Sequence, residues 1–278
     1  MKKELINYLE NVGKDKSWND IAFMFGYRTG EHARKVWNNY CKKQSKLSSF
    51  THKTREDIVR DIKTYITNNV LVIGDLHLPA ERKGSLEFVK KVYNKYNCSK
   101  IIFTGDILDS YCLSVHAKNP NYPYSPGQEL DIAKDKLKDW YKAFPNAVWI
   151  TGNHDNRLYK LAGLANIPKQ YLKSLQEILE VPNWTVVNEY IYDNVLYVHG
   201  ESKEAKLMAL YKGMSVVQGH LHSKTYVEYV KKDIFAVQVP SLVDRDSLAF
   251  EYAKNSLLDW QNGVTVIEDG VPIIIPFK

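Results

Sequence analysis

The stretch Val70-Leu71-Val72-Ile73-Gly74-Asp75-Leu76-His77 decides the fold. Four bulky apolar residues in a row, three of them β-branched, read as a strand buried on both faces. The strand runs straight into a turn that carries a carboxylate and an imidazole. Reading outward, the same construction recurs. Lys100 to Phe103 leads into Gly105-Asp106-Ile107-Leu108-Asp109, and Val148 to Ile150 into Gly152-Asn153-His154-Asp155. Val195 to Val198 leads into His199-Gly200, and Ser215 to Val217 into Gly219-His220-Leu221-His222. Helical patterns separate these strands, so the region reads as a layered α/β domain.

Strand ends in an open α/β sheet converge on one rim, where ligand sites are built. Alternation along an extended chain predicts that Asp75 and His77 point to the same side, as do His220 and His222. Four histidines, two aspartates and an asparagine then share a small volume, with carboxylate and imidazole donors and no thiolate. That set suits manganese, iron or zinc better than magnesium or calcium. Singly, each residue has an ordinary structural reading. The ordered recurrence from 75 to 222, which holds five of the eight histidines, is what carries the inference.

These motifs resemble those of the calcineurin-like metallophosphoesterase superfamily, over roughly residues 68 to 278. The resemblance implies a four-layer αββα sandwich, two packed mixed sheets flanked by helices, here with a small three-helix domain at the amino end. It implies two divalent metal ions, manganese first, with iron or zinc as options. Asp75, His77, Asp106 and His222 would hold one, and Asp106, Asn153, His199 and His220 the other, with Asp106 as the bridge. His154 would contact the scissile phosphate and protonate the leaving oxygen, with Asp155 orienting it. Protein phosphatases of the superfamily carry Arg-Gly after the second motif and Glu after Gly-Asn-His. Here Ser110-Tyr111 and Asp155 stand in those places, closer to the phosphodiesterase and nuclease branches. Arg157 is a candidate phosphate ligand or a surface ion pair.

The amino-terminal quarter differs in charge. Residues 1–66 hold 14 Lys and Arg against 8 Asp and Glu, whereas residues 67–278 hold 24 of each, so the net +6 resides in the first segment. Leu5, Ile6, Leu9 and Val12 predict a helix over 3–12, ended by Gly13. Ser17 and Asp20 form a capping signature for a short second helix. Thr29 caps a third, through about Tyr40, with Ala33, Val36, Trp37 and Tyr40 inward. Residues 1–45 thus resemble a helix-turn-helix domain, and Arg28, Arg34 and Lys35 are the candidate DNA contacts. Residues 46–67 read as linker and lead-in, the polar basic run beginning at 42 and Glu56 to Ile66 being strand or short helix. The catalytic domain takes residues 68–278.

Cys41, Cys98 and Cys112 are too few and scattered for a disulfide framework. No apolar run approaches the ~20 residues of a bilayer span, so a cytoplasmic protein without membrane contact is expected. The aromatic loop from Asp109 to Asp131 is expected over the site rim, either stacking on bases or packing its own tyrosines. Leu158 to Leu179 reads as one or two helices, and Asn262-Gly263 and Asp269-Gly270 as two hairpin turns. The leading expectation is a two-metal phosphoesterase acting on nucleic acid through a DNA-binding module. One alternative is hydrolysis of a small nucleotide, the helical unit serving oligomerisation or regulation. Another is a non-enzymatic DNA-binding regulator.

Overall fold

The computed structural model describes residues 2–11, 14–47, 68–201, 203–253 and 260–278. The chain divides into two compact units, Met1–Ile66 and Thr67–Lys278. The expectations for Val12, Gly13 and the lead-in after residue 47 fall outside the described residues.

The first unit contains α1 (Lys2–Asn11), α2 (Trp18–Met24) and α3 (Gly30–Leu47). Ser17 caps α2 by accepting from the Asp20 amide, and the Thr29 hydroxyl accepts from the His32 amide at the start of α3. Both caps satisfy amides that have no partner inside the helix. Leu5, Leu9, Ile21, Ala22 and Ala33 form the buried core, with Val36 and Trp37 packed against it. Tyr40 donates its hydroxyl to Glu10, tying α3 to α1. The third helix continues to Leu47, well past Tyr40, so residues 42–47 are helical rather than linker. Lysine, glutamine and leucine have high helix propensity, so the run extends a helix already nucleated.

The second unit shows why alternation governs layering. Strand β1 (Val70–Ile73) pairs in parallel with β2 (Lys100–Phe103), which pairs with β3 (Val148–Ile150) and then β4 (Thr185–Val187). On the other side of β1 lie β10 (Gly263–Glu268) and β11 (Val271–Pro276), both in antiparallel pairing. The second sheet runs β5-β6-β7-β9-β8, from β5 (Glu189–Tyr192), β6 (Val195–Val198), β7 (Ser215–Gln218), β9 (Ile234–Gln238) and β8 (Tyr226–Lys231). Val70, Val72, Ile102, Val148 and Ile150 face the second sheet's Val195, Tyr197, Val217, Phe235 and Val237. The alternate residues Leu71, Ile73, Ile101, Phe103 and Trp149 face helices. Those helices are α4 (Ser85–Lys95), α5 (Pro126–Ala143) and α7 (Leu175–Leu179), which contribute Val89, Val92, Leu137, Trp140 and Leu179. The second sheet's outer face is covered by Ala205 and Ala209 of α8 (Ala205–Lys212). Period-two burial on both faces of each sheet gives the four αββα layers.

Leu158 to Leu179 resolves into α6 (Arg157–Leu164), a 3-10 turn over Lys169–Tyr171 and α7. Asp269 and Gly270, at φ +49° and +83°, make the β10–β11 hairpin, as their sequence suggests. Asn262-Gly263 is not a hairpin turn. Gly263 already pairs with Pro276 as the first residue of β10, and Asn262 bridges to Ser241, because its side-chain amide donates to the Ser241 and Val243 carbonyls. No helix among the described residues is long and apolar enough to cross a membrane.

Candidate functional site

The seven candidate ligands follow the carboxyl ends of β1, β2 and β3, parallel in one sheet, and of β6 and β7, parallel in the other. Extended alternation is not what brings Asp75 and His77 together. The strand ends at Ile73, and Asp75, His77, Asp106 and His220 all adopt left-handed backbone, with φ of +35°, +52°, +48° and +75°. For residues with a Cβ this costs roughly 1–3 kcal/mol each and survives only where surroundings dictate it. The loops are laced accordingly. His77 and Leu78 amides donate to the Asp106 and Ile107 carbonyls at 2.8 and 2.7 Å, and Asp109 donates back to Leu78 at 2.9 Å.

Two glycines of the motifs are required by close approach. Gly105 has φ +100°, and a Cβ there would lie 2.4 Å from His199 Nδ1. A Cβ on Gly152 would lie 2.0 Å from Asp106 Oδ1. Each glycine makes room for a polar side chain arriving from another strand.

Two donor clusters result, beside a third group, His77, Asp109 and His154, that shares His77 with the first. Asp75, His77 and His222 form one, and Asp106, His199 and His220 the other, the donor atoms of each lying within 4.8 Å of one another. In the first, His77 Nε2 is 3.2 Å from His222 Nε2, which is 3.4 Å from Asp75 Oδ1. In the second, His199 Nε2 lies 3.2 Å from Asp106 Oδ2, 2.9 Å from Asn153 Oδ1 and 3.2 Å from His220 Nδ1. Asp106 Oδ2 also lies 3.7 Å from His77 Nε2, so one buried carboxylate faces both clusters. Asp75 is fixed by the His220 amide, which donates to both its oxygens at 3.0 and 2.9 Å.

The hydrogen bonds around His199 leave a place for a cation. The Thr104 carbonyl takes Nδ1–H of His199 at 2.8 Å, leaving Nε2 of the neutral ring as a lone pair aimed at the Asp106 and Asn153 oxygens. A lone pair facing two acceptors requires a positive species between them, a proton or a metal ion. Burial disfavours a charged His199, yet the Asp106 carboxylate outweighs it and lifts the pKa to about 10. His77 goes the other way, to about 4, through burial and then the charge of His154, and stays neutral as a ligand must. A divalent cation held here would displace that proton, and its affinity would fall as pH drops below about 10. Titrating manganese into metal-free protein at pH 7.5, in buffers of different ionisation enthalpy, should report release of about one proton. Buffer-independent heat would contradict this.

His154 stands beside the clusters, its Nε2 4.0 Å from Asp106 Oδ2. Asp155, expected to orient it, does something else. Its buried carboxylate accepts from the Leu108 and Gly152 amides at 2.9 and 2.8 Å and from Trp149 Nε1 at 3.0 Å. One residue on from His154, its side chain turns into the core and staples the β2 and β3 loops together. Burial, then the Asp106 charge, raise its pKa to about 6.

The orienting contact comes from Asp109, to which sequence reasoning gave no role although it closes the second motif. Asp109 Oδ1 lies 3.0 Å from both His154 Nδ1 and His77 Nδ1, while its Oδ2 is buried without a hydrogen-bond partner among the described residues. One oxygen thus bears on the ring of a candidate ligand and on that of His154, whose Nδ1 also lies 2.8 Å from the Asp109 carbonyl. Arg157 is not in a surface ion pair. Its guanidinium donates to the Asp109 and Ser110 carbonyls at 2.9 and 3.1 Å and to His154 Nε2 at 3.0 Å. The aromatic loop packs on itself, Tyr111 against Tyr122 at 4.4 Å and Tyr122 against Tyr124 at 5.5 Å. Arg28, Arg34 and Lys35 are exposed on the first unit, with no part in these clusters.

Comparison with known proteins is consistent with this geometry. The family model described as calcineurin-like phosphoesterase matches residues 69–247. No curated protein matches the chain. Among solved structures, vacuolar protein sorting 29 from Cryptosporidium parvum is similar at 12% identity and TM-score 0.42, over 76% of this chain and 97% of that one. A metallophosphoesterase from Sphaerobacter thermophilus is similar at 15% identity and TM-score 0.41, over 76% and 88%. Nuclease MPE from Pseudomonas putida is similar at 18% identity and TM-score 0.38, over 75% and 87%.

Proposed function

Since the chain belongs to the calcineurin-like phosphoesterase family and is a metal-dependent phosphoesterase, we propose that it hydrolyses phosphodiesters of nucleic acid, with manganese as the metal and the amino-terminal unit as its DNA-binding module. The observation that carries the reaction is Asp106, one carboxylate facing two clusters of neutral and anionic donors. Asp75, His77, Asp106 and His222 would hold one ion, and Asp106, Asn153, His199 and His220 the other. When bound, the pair supplies Lewis acidity toward the phosphate and a nucleophilic water near neutral pH.

The chain's own residues do the rest. Asp109 holds Nδ1–H of His154, so Nε2 points to the centre as the nitrogen that serves the leaving oxygen. Burial opposes a charged His154, but the Asp109 hydrogen bond together with the Asp106 and Asp109 charges outweighs it and raises the pKa, which favours the protonated acid. In the resting arrangement Arg157 occupies Nε2; on substrate entry its guanidinium turns to the phosphoryl oxygens and frees that nitrogen.

Nucleic acid as substrate is supported by the segregated positive charge of residues 1–66 and by the exposure of Arg28, Arg34 and Lys35 on a three-helix unit. The full chain should bind duplex DNA with an affinity that falls steeply with salt. Arg34→Glu with Lys35→Glu should weaken binding at least about tenfold, read by fluorescence anisotropy. Equal binding by the double variant would remove these contacts. The substrate assignment itself is tested by a panel of single-stranded, double-stranded and gapped DNA beside bis-p-nitrophenyl phosphate. Turnover of the last alone would exclude DNA and keep the chemistry.

A further inference from the structure

A cavity of about 550 Å3 opens from the His154 edge of the site. Its size lies within the roughly 300–1,000 Å3 of small-ligand sites and accepts a single nucleotide rather than a duplex. Tyr111, Leu248, Ala249 and Phe250 give it an apolar wall. The loop that carries His116, Lys118 and Asn119 also lines it.

The charges facing this space are unequal in what they are free to do. The Asp109 carboxylate is held by two imidazoles, and Glu251 accepts from the Asn119 side-chain amide. Neither Lys118 Nζ nor the His116 ring has a hydrogen-bond or ion-pair partner among the described residues, and both side chains are exposed. The uncommitted groups are therefore an ammonium and an imidazole, both able to donate, in a pocket that also has apolar lining. Such a pocket takes an amphipathic anion.

We propose that this cavity receives the leaving half of a phosphodiester, a nucleotide carrying a further phosphate that Lys118 and His116 bind. The assignment rests on the reading of His154 as the residue serving the leaving oxygen, because the group attached to that oxygen must lie on the His154 side. It makes the substrate a single-stranded or frayed nucleotide chain with a phosphate flanking the cleaved bond, and it disfavours small phosphomonoesters.

Binding to the full chain in EDTA, measured by isothermal titration calorimetry, tests the pocket without turnover. Thymidine 3′,5′-bisphosphate should bind at least tenfold more tightly than thymidine. Lys118→Glu should weaken the bisphosphate at least tenfold, and His116→Ala should weaken it in the same direction. Lys212→Glu, the same charge change on α8, should leave it within twofold. Equal affinity for the two probes, no binding of the bisphosphate, or an unchanged Lys118→Glu variant would overturn the proposal. Hydrolysis of bis-p-nitrophenyl phosphate by manganese-loaded protein separates the two levels. Turnover without bisphosphate binding would overturn the pocket alone. Bisphosphate binding with no turnover of any phosphodiester would overturn both the leaving-group role and the reaction.

Discussion

Replacing Asp106 by Asn is expected to lower kcat/KM on a phosphodiester by about 10^3-fold or more, equivalent to ~4 kcal/mol of transition-state stabilisation. The fold should survive, because an amide oxygen in place of Oδ1 still accepts from the His154 amide, now at 2.8 Å. What is lost is the charge on Oδ2, the atom 3.7 Å from His77 Nε2 and 3.2 Å from His199 Nε2. Without it, neither cluster has the carboxylate it shares with the other, and two cations held there would lack a shared anion. Elemental analysis should show metal content falling below two ions per chain. The variant should also lose the upward push on His199, so metal uptake at pH 7.5 should release less than one proton. Two retained ions with near-normal turnover would refute the bridging role.

The second large effect separates two functions of one side chain's neighbours. His154→Ala should cut kcat by about 10^2–10^4-fold on a substrate with an alkoxide leaving group and leave metal content intact. On bis-p-nitrophenyl phosphate, whose leaving group needs little protonation, the loss should be much smaller. Asp109→Asn should behave differently, because its Oδ1 lies 3.0 Å from both His77 and His154. It should weaken metal binding by about 10–100-fold as well as lowering kcat. A uniform loss across leaving groups in His154→Ala, or unaltered metal affinity in Asp109→Asn, would contradict these roles.

Several assignments could not have been read along the chain. Asp155 and Asp109 both follow a motif glycine by a few residues and have the same chemistry. Only the fold sends Asp155 to Trp149 and two loop amides and Asp109 to two imidazoles. Arg157 sits one turn from His154 on a helix start, a spacing consistent with contact, yet its carbonyl partners on the β2 loop are 47 and 48 positions away. Asp75 and His77 do share a site, but through left-handed turns rather than through strand alternation. The Asn262-Gly263 pair has the composition of a hairpin turn and instead begins a strand, because β10 must reach both β1 and β11.

What the primary structure determined alone is the chemistry and its order. Strand, glycine and polar donor are adjacent in the chain, so local sterics and period-two burial suffice to make each unit and to bring its end to one rim. Which donors lie together, which carboxylate meets which ring, and which side chains line the cavity were decided by tertiary structure. Those relations join residues as far apart as His77 and His222, 145 positions, and depend on fractions of an ångström in the packing of two sheets. No local preference encodes such a distance; only the closed core does.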